Sequence, residues 1–194
     1  MATISSTAFE ARVTNNEFDA LCNVTGLYQE SSAAADCPAG LLCVRGDNLP
    51  CEGFGSTVFN ENAFYMTSAA SDVMGNEPIY ACNMYEAQLI EAKGNKYFIG
   101  TETLGLPVPA GRYGTFTRIA FDGVSKYRFG EGNFSSSVAS TDTHAILGGD
   151  GLLAPATSAP SDAGTPYFVI KATGTFTEGT TNSFGFVDLE AHLA

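Results

Sequence analysis

The sequence predicts a mainly β protein: antiparallel hairpins forming a sandwich or barrel-like domain, with long loops and at most one short helix. Three observations carry that prediction. The 14 Phe and 8 Tyr residues fall in short alternating runs instead of helical stripes. Eighty of the 194 residues are Gly, Ala, Ser or Thr and only 15% are charged, so small and weakly polar residues must finish the surface, as they do in twisted sheets and their loops. Gly, Asn and Asp also recur between the alternating runs, where tight turns need them. With 44% hydrophobic residues the chain has ample material for a core. Residues 1–20 read as an N-terminal arm and first strand, and residues 21–194 as a single β-rich domain.

In Phe9-Glu-Ala-Arg-Val-Thr, Phe9, Ala11 and Val13 alternate with Glu10, Arg12 and Thr14, which predicts a strand behind a polar Thr/Ser arm. Such an arm suits strand addition to a neighbour's sheet, with Phe9, Ala11 and Val13 as partner-binding residues; an internal edge strand fits the same pattern. Residues 21–27 form a second candidate strand. Residues 31–55 carry Cys37, Cys43 and Cys51 among several Gly and Pro, and read as a long ordered loop of the kind that is more often functional or interfacial than idle. Residues 60–70, with Phe64 and Tyr65 near Ala69, are the best helix candidate.

From Ile79 the pattern turns to sheet. Residues 85–92 alternate, Lys93-Gly-Asn-Lys supplies a turn and Tyr97-Phe-Ile-Gly returns, which predicts a hairpin. Residues 113–121 lead into Asp122-Gly123 and residues 124–129 come back; Asp-Gly is favoured in two-residue turns that need positive φ, so a second hairpin is expected. Residues 148–166 form an Ala/Pro/Ser-rich loop without periodicity. A third hairpin closes the chain, from residues 167–173 and Thr175-Phe-Thr through a turn near Glu178-Gly179 to residues 183–189.

Charge narrows the function classes. Nine Lys and Arg against 21 Asp and Glu leave a net charge of −12 and a pI near 4.3. Nucleic-acid binding needs clustered cations that displace counterions, so neither nucleic acid nor an anionic membrane is an expected partner. The acidity reads as solubility and self-repulsion before assembly. Met1-Ala-Thr-Ile-Ser-Ser-Thr has neither a basic nor an apolar leader region, and no stretch approaches the ~18 apolar residues of a membrane helix. Synthesis and folding in a cytosol are therefore expected. The five cysteines, Cys22, Cys37, Cys43, Cys51 and Cys82, include no C-x-x-C pair and no adjacent His, which speaks against structural zinc. Disulfides would suit a protein that ends outside a cell; buried free thiols acting as small hydrophobes are the favoured reading.

Few residues can run chemistry at neutral pH. Only two histidines are present, His144 and His192, and there is no Trp. Asp142-Thr-His144 could set a carboxylate and an imidazole on one side of a strand, yet no G-x-S-x-G elbow accompanies it. His192 reads as a solvent-facing tail residue. Gly130-Glu-Gly-Asn-Phe-Ser has half the look of a phosphate loop but lacks the Lys and the helix, so a tight turn closing a hairpin explains it better. Calcium held by loop oxygens around Asp150 would be structural. The expectation is no catalytic residue, no cofactor and no metal.

Ile79-Tyr-Ala-Cys-Asn, Tyr97-Phe-Ile-Gly, Thr103-Leu-Gly-Leu-Pro-Val-Pro-Ala-Gly111, Phe129-Gly-Glu-Gly-Asn-Phe134 and the closing Phe168-Val-Ile-Lys-Ala-Thr-Gly-Thr-Phe-Thr-Glu-Gly together cover roughly the C-terminal three fifths. In these phrases the chain resembles structural proteins encoded beside capsid genes in tailed bacteriophages of Gram-positive gut bacteria, in the style of head-decoration or auxiliary capsid proteins. The resemblance implies a non-enzymatic virion component that binds the outer capsid surface. Its partners would be the major capsid protein or another virion structural protein, and itself in many copies. Such a protein is made in the host cytoplasm and then resides on the virion. The alternatives are a tail, fibre or adhesin module that reads a host surface through residues 31–55 and 148–166, and, more remotely, a hydrolase on a β scaffold using His144.

Overall fold

A computed structural model describes residues 9–12, 23–50, 59–75, 77–85, 89–92, 95–98, 107–178 and 182–194. The strands are β1 (Phe9–Arg12), β2 (Asn23–Glu30), β3 (Ala33–Ala34), β4 (Leu42–Pro50), β5 (Phe59–Ser68), β6 (Ile79–Tyr85), β7 (Leu89–Ala92), β8 (Asn95–Phe98), β9 (Tyr113–Arg118), β10 (Lys126–Gly130), β11 (His144–Gly149), β12 (Leu152–Ala156), β13 (Pro166–Glu178) and β14 (Asn182–Leu193). A 3₁₀ turn at Glu131–Asn133 follows β10.

The protein is mainly β, and it is both sandwich and barrel. One antiparallel sheet has six strands in the order β1-β10-β14-β13-β11-β12. The other runs β3-β2-β5-β4-β6-β9 and closes through β2–β9 into a five-stranded barrel. A ring of five strands cannot alternate direction all the way round, so one neighbouring pair must be parallel. That pair is β2 and β5. The strands β7 and β8 make a separate hairpin.

Burial follows from the twofold alternation of strand side chains. Tyr28, Cys43, Phe64, Met66, Tyr80, Cys82 and Phe116 fill the barrel. Leu42, Ile79 and Ala81 point the other way and pack against Tyr127, Phe129, Phe168, Val187 and Leu189 on the inner face of the six-stranded sheet. Phe168 anchors that layer, with the Phe121 ring at 5.4 Å and the Phe129 ring edge-on at 6.0 Å. Gly26 keeps the barrel narrow, since a Cβ there would lie 2.3 Å from Met66 Cγ and 2.6 Å from the Phe116 ring.

Two polar ties lock sheet to barrel. Asn133, only 1% exposed, donates from Nδ2 to the Ala39 carbonyl at 2.7 Å and accepts at Oδ1 from the Gly130 amide at 3.2 Å. At the β11–β12 turn, Gly151 N–H donates to Ala69 O at 3.0 Å and Gly151 O accepts from Leu42 N–H at 2.9 Å. A Cβ on Gly151 would sit 2.5 Å from the Leu42 carbonyl oxygen, and φ is +73°, so the position demands glycine.

Several sequence expectations change. Residues 60–70 are not helical: β5 pairs with β2 on one side and β4 on the other, and Phe64 and Met66 alternate into the barrel. Two hydrogen-bonded neighbours override a weak helical preference. Residues 113–129 are not a hairpin, because β9 belongs to the barrel and β10 to the six-stranded sheet. Asp122-Gly123 still turns tightly, with φ +77° at Gly123. Asp122 Oδ1 accepts from the Val124 and Ser125 amides at 3.0 and 2.8 Å, so the turn carries the chain between layers. The two-residue turn with positive φ at both positions lies instead at Asp150 (51°) and Gly151 (73°), inside the stretch read as a loop. Residues 31–55 likewise contain the nine-residue β4, and Glu131–Asn133 closes no hairpin but leads from β10 toward β11. The hairpins β7–β8 and β13–β14 stand as expected, their turn residues at 93–94 and 179–181 lying outside the described residues.

Truncating the wall between the two cores should be costly while the surface tolerates change. Leu42→Ala is expected to lower stability by about 2–5 kcal/mol. Val124→Ala, at a position 61% exposed, should stay within ~0.5 kcal/mol. Urea midpoints compare them, and equal midpoints would contradict this assignment of the core.

Candidate functional site

Both histidines, with Tyr167, Arg128, Lys171, Asp188 and Glu190, gather on the outer face of the six-stranded sheet, the face turned away from the barrel. Register places them in rows. One row reads Arg12, Lys126, Glu190, Val169, His144 and Ala156 across all six strands. The next holds Glu10, Arg128 and Asp188, and on the other side lie His192, Tyr167, Ile146 and Ala154. The face thus divides into a charged half toward β1 and an aromatic and aliphatic half toward β12.

In the aromatic half the two histidines flank one tyrosine. The His192 ring stacks on Tyr167 at 5.4 Å and 23°, and His144 tilts against the other side at 5.8 Å and 42°. Glu190 Oε1 receives both Lys171 Nζ at 2.8 Å and His192 Nε2 at 3.0 Å. The hydrogen bond from Lys171, seconded by that from His192, holds the Glu190 carboxyl below the ordinary carboxylate range. Thr143 Oγ1 donates its one proton to the Thr157 carbonyl at 2.9 Å and lies 2.8 Å from His144 Nδ1.

The charged half is organised by Arg128. Its Nε and Nη2 donate to Asp188 Oδ1 and Oδ2 at 2.7 and 2.9 Å, a two-pronged pair of matched planar groups. The guanidinium also lies 3.7 Å over the Phe186 ring, and that ring covers Gly174, the residue opposite it in β13. The column Gly174–Phe186–Arg128–Asp188 sets the places of the Phe186, Arg128 and Asp188 side chains.

The triad considered for His144 is not assembled. Asp142 Oδ2 accepts from the Ala139 amide at 2.7 Å, and His144 Nδ1 meets Thr143 instead. His192 is no tail residue, since it lies within β14 and stacks on Tyr167. Phe9 and Ala11 fall in β1, opposite Phe129 and Tyr127 of the same chain, so the predicted arm strand is an edge strand of its own sheet; Val13 lies outside the described residues. Asp150 occupies a hairpin turn, and among the described residues no three His, Cys, Asp or Glu side chains are grouped to hold a metal ion. Tyr167, Lys171, Asp188 and Glu190 were not singled out by sequence. Strand alternation puts Asp188, Glu190 and His192 on one face, but only the pairing register brings Tyr167 and His144 beside them.

Inside the barrel, Cys37, Cys43 and Cys82 are free and fully buried, while Cys22 and Cys51 lie outside the described residues. Hydrogen bonding with Cys43 and then burial push the Cys37 thiol far up; hydrogen bonding with Cys37 and then burial do the same to Cys82. Burial also raises the Tyr28 hydroxyl above its ordinary value. Held neutral, the Cys37 and Cys82 thiols pack inside the barrel as small apolar groups.

The sequence matches no protein-family model, no curated protein and no solved structure.

The raised thiols should weaken the fold in alkali. In the unfolded chain each loses its proton above about pH 8.5, whereas the folded chain retains it, so stability present below that value falls as pH rises. The loss should approach about 1.4 kcal/mol per thiol per pH unit. Native protein at pH 8 should also resist iodoacetamide at Cys37, Cys43 and Cys82, and urea should expose all three. Rapid native alkylation of Cys37 or Cys82, read by peptide mass, would contradict the assignment.

Proposed function

We propose that the protein is a non-enzymatic virion structural protein that binds the outer capsid surface as a decoration or cement protein. The carrying observation is the outer face of the six-stranded sheet. Its aromatic and aliphatic half, with Ile146, Tyr167 and Val169 half-buried, lies beside a half whose charges are pinned in register. An aromatic and aliphatic patch of this kind beside a charged one suits a docking surface, because anchoring aromatic side chains dominate binding energy at interfaces. The sequence resemblance to head-decoration proteins points to the same role, and the acidity of the chain keeps free copies apart before they dock. On this reading the protein is made in the host cytoplasm and resides on the virion. The capsid protein is its partner, many copies sit on each particle, and no step of bond-making chemistry is involved.

Purified protein added to capsids that lack it should sediment with them. Tyr167→Ala should weaken that binding by about tenfold or more, with an unchanged circular dichroism spectrum. Binding to host cells or to isolated tails but not to capsids would replace this reading with the tail or adhesin one. Unaltered capsid binding by Tyr167→Ala would remove the outer face as the contact.

A further inference from the structure

The barrel holds three free, fully buried thiols, Cys37, Cys43 and Cys82, and two of them are fixed by their backbones in one place. Cys37 exchanges two hydrogen bonds with Val108, each at 2.8 Å. Cys82 is tied to the turn that follows Cys37. Its N–H donates to Leu41 O at 3.0 Å, and its carbonyl accepts from Gly40 N–H at 2.7 Å.

Those ties bring the Cys82 side chain onto Cys37. Its Sγ donates to the Cys37 carbonyl at 3.9 Å, across 45 residues of sequence, and the two thiols hydrogen-bond to each other. Cys43 also hydrogen-bonds with the Cys37 thiol, but its own Sγ is directed at Leu41 O, 3.6 Å away. A bond from Cys37 to Cys43 would close only the short loop through Pro38 and Gly40. A bond from Cys37 to Cys82 would span β4 and β5 and join the segment before β4 to β6.

We infer that Cys37 and Cys82 join in a disulfide once the protein meets an oxidising medium, and that this bond staples the barrel. The oxidant is a small disulfide such as oxidised glutathione. One protein thiol loses its proton, attacks the oxidant and expels a small thiolate. The second loses its proton, attacks the protein sulfur of the mixed disulfide and expels the other. The protein pair gives up two electrons and two protons, and both end on two small thiols. The two sulfurs close from hydrogen-bond contact to about 2.05 Å. Because both thiols are fully buried, exchange proceeds through opening of the barrel, so it is slow in native protein and fast during folding. The chemistry is independent of what the outer face binds; only the expectation of an oxidising exterior rests on the virion reading.

Refolding of reduced protein from urea into a buffer of oxidised and reduced glutathione tests this. Remaining thiols are then alkylated in urea and the peptides mapped by mass without reduction. Wild type should show Cys37 linked to Cys82, with Cys43 alkylated. In a Cys22→Ser, Cys51→Ser variant only the barrel thiols can react. Its oxidised form should have a urea midpoint higher than its reduced form by about 1 M or more, as a long cross-linked loop requires. Adding Cys82→Ala to that variant should abolish the difference between oxidised and reduced forms. A link from Cys37 to Cys43 in place of Cys82 would overturn the inference, as would Cys37 and Cys82 both recovered alkylated. A Cys37–Cys82 link that leaves the midpoint unchanged or lower would overturn its role as a staple.

Discussion

The first residues of β4, Leu42–Val44, and of β6, Ile79–Cys82, form a wall between the two cores, and the rest of the structure is arranged about it. Leu42, Ile79 and Ala81 face the six-stranded sheet, while Cys43, Tyr80 and Cys82 face the barrel, and none of the six is more than 5% exposed. A strand with a core on each side must be apolar at every position, which is why Leu41-Leu42-Cys43-Val44 and Ile79-Tyr-Ala-Cys run without alternation. Such a wall forbids hydration on either side. A polar substitution at any of the six would strand a polar group in one core or the other.

The narrow barrel explains its contents. Five strands enclose little space, so small residues must sit beside large ones: Gly26 beneath Met66 and Phe116, and thiols beside Tyr80. Cysteine serves here as a small, dense apolar residue, and the raised proton affinity of Cys37 and Cys82 follows from hydrogen bonding with a neighbouring thiol and then from burial. The six-stranded sheet is then held on the outside of the wall by an apolar layer and by the buried ties at Asn133 and Gly151. Because its inner face is committed to the wall, its outer face is the one turned toward other molecules.

Class and local pairing were legible in the sequence; connectivity was not. Alternation around Tyr167 and Val187 marked β13 and β14, because each has one buried and one outer face. The same rule failed at β4, whose double burial removes the alternation and whose Gly46 and Pro50 suggest a loop. It failed at β5 because Phe64 and Tyr65 sit as well on a helix as on a strand until neighbours are present on both sides. Asp122-Gly123 carried the right turn chemistry, but no local signal tells a hairpin from a crossing between layers. The candidate face was hidden for a similar reason. His144, Tyr167 and His192 are far apart in sequence, and they meet only through the register of three strands.

The proposed role requires a single rigid piece: a cover that docks through one sheet must not let that sheet part from the barrel behind it. The shared wall is what supplies that rigidity. Native-state hydrogen exchange measures it most directly, by comparing the opening free energies of amides at Cys82 in the barrel and Phe168 in the sheet. Both amides are predicted to exchange only through global unfolding, with the same free energy and the same denaturant dependence. Sheet amides that open at markedly lower free energy, with barrel amides still protected, would contradict the claim that β4 and β6 bind the two layers into one unit.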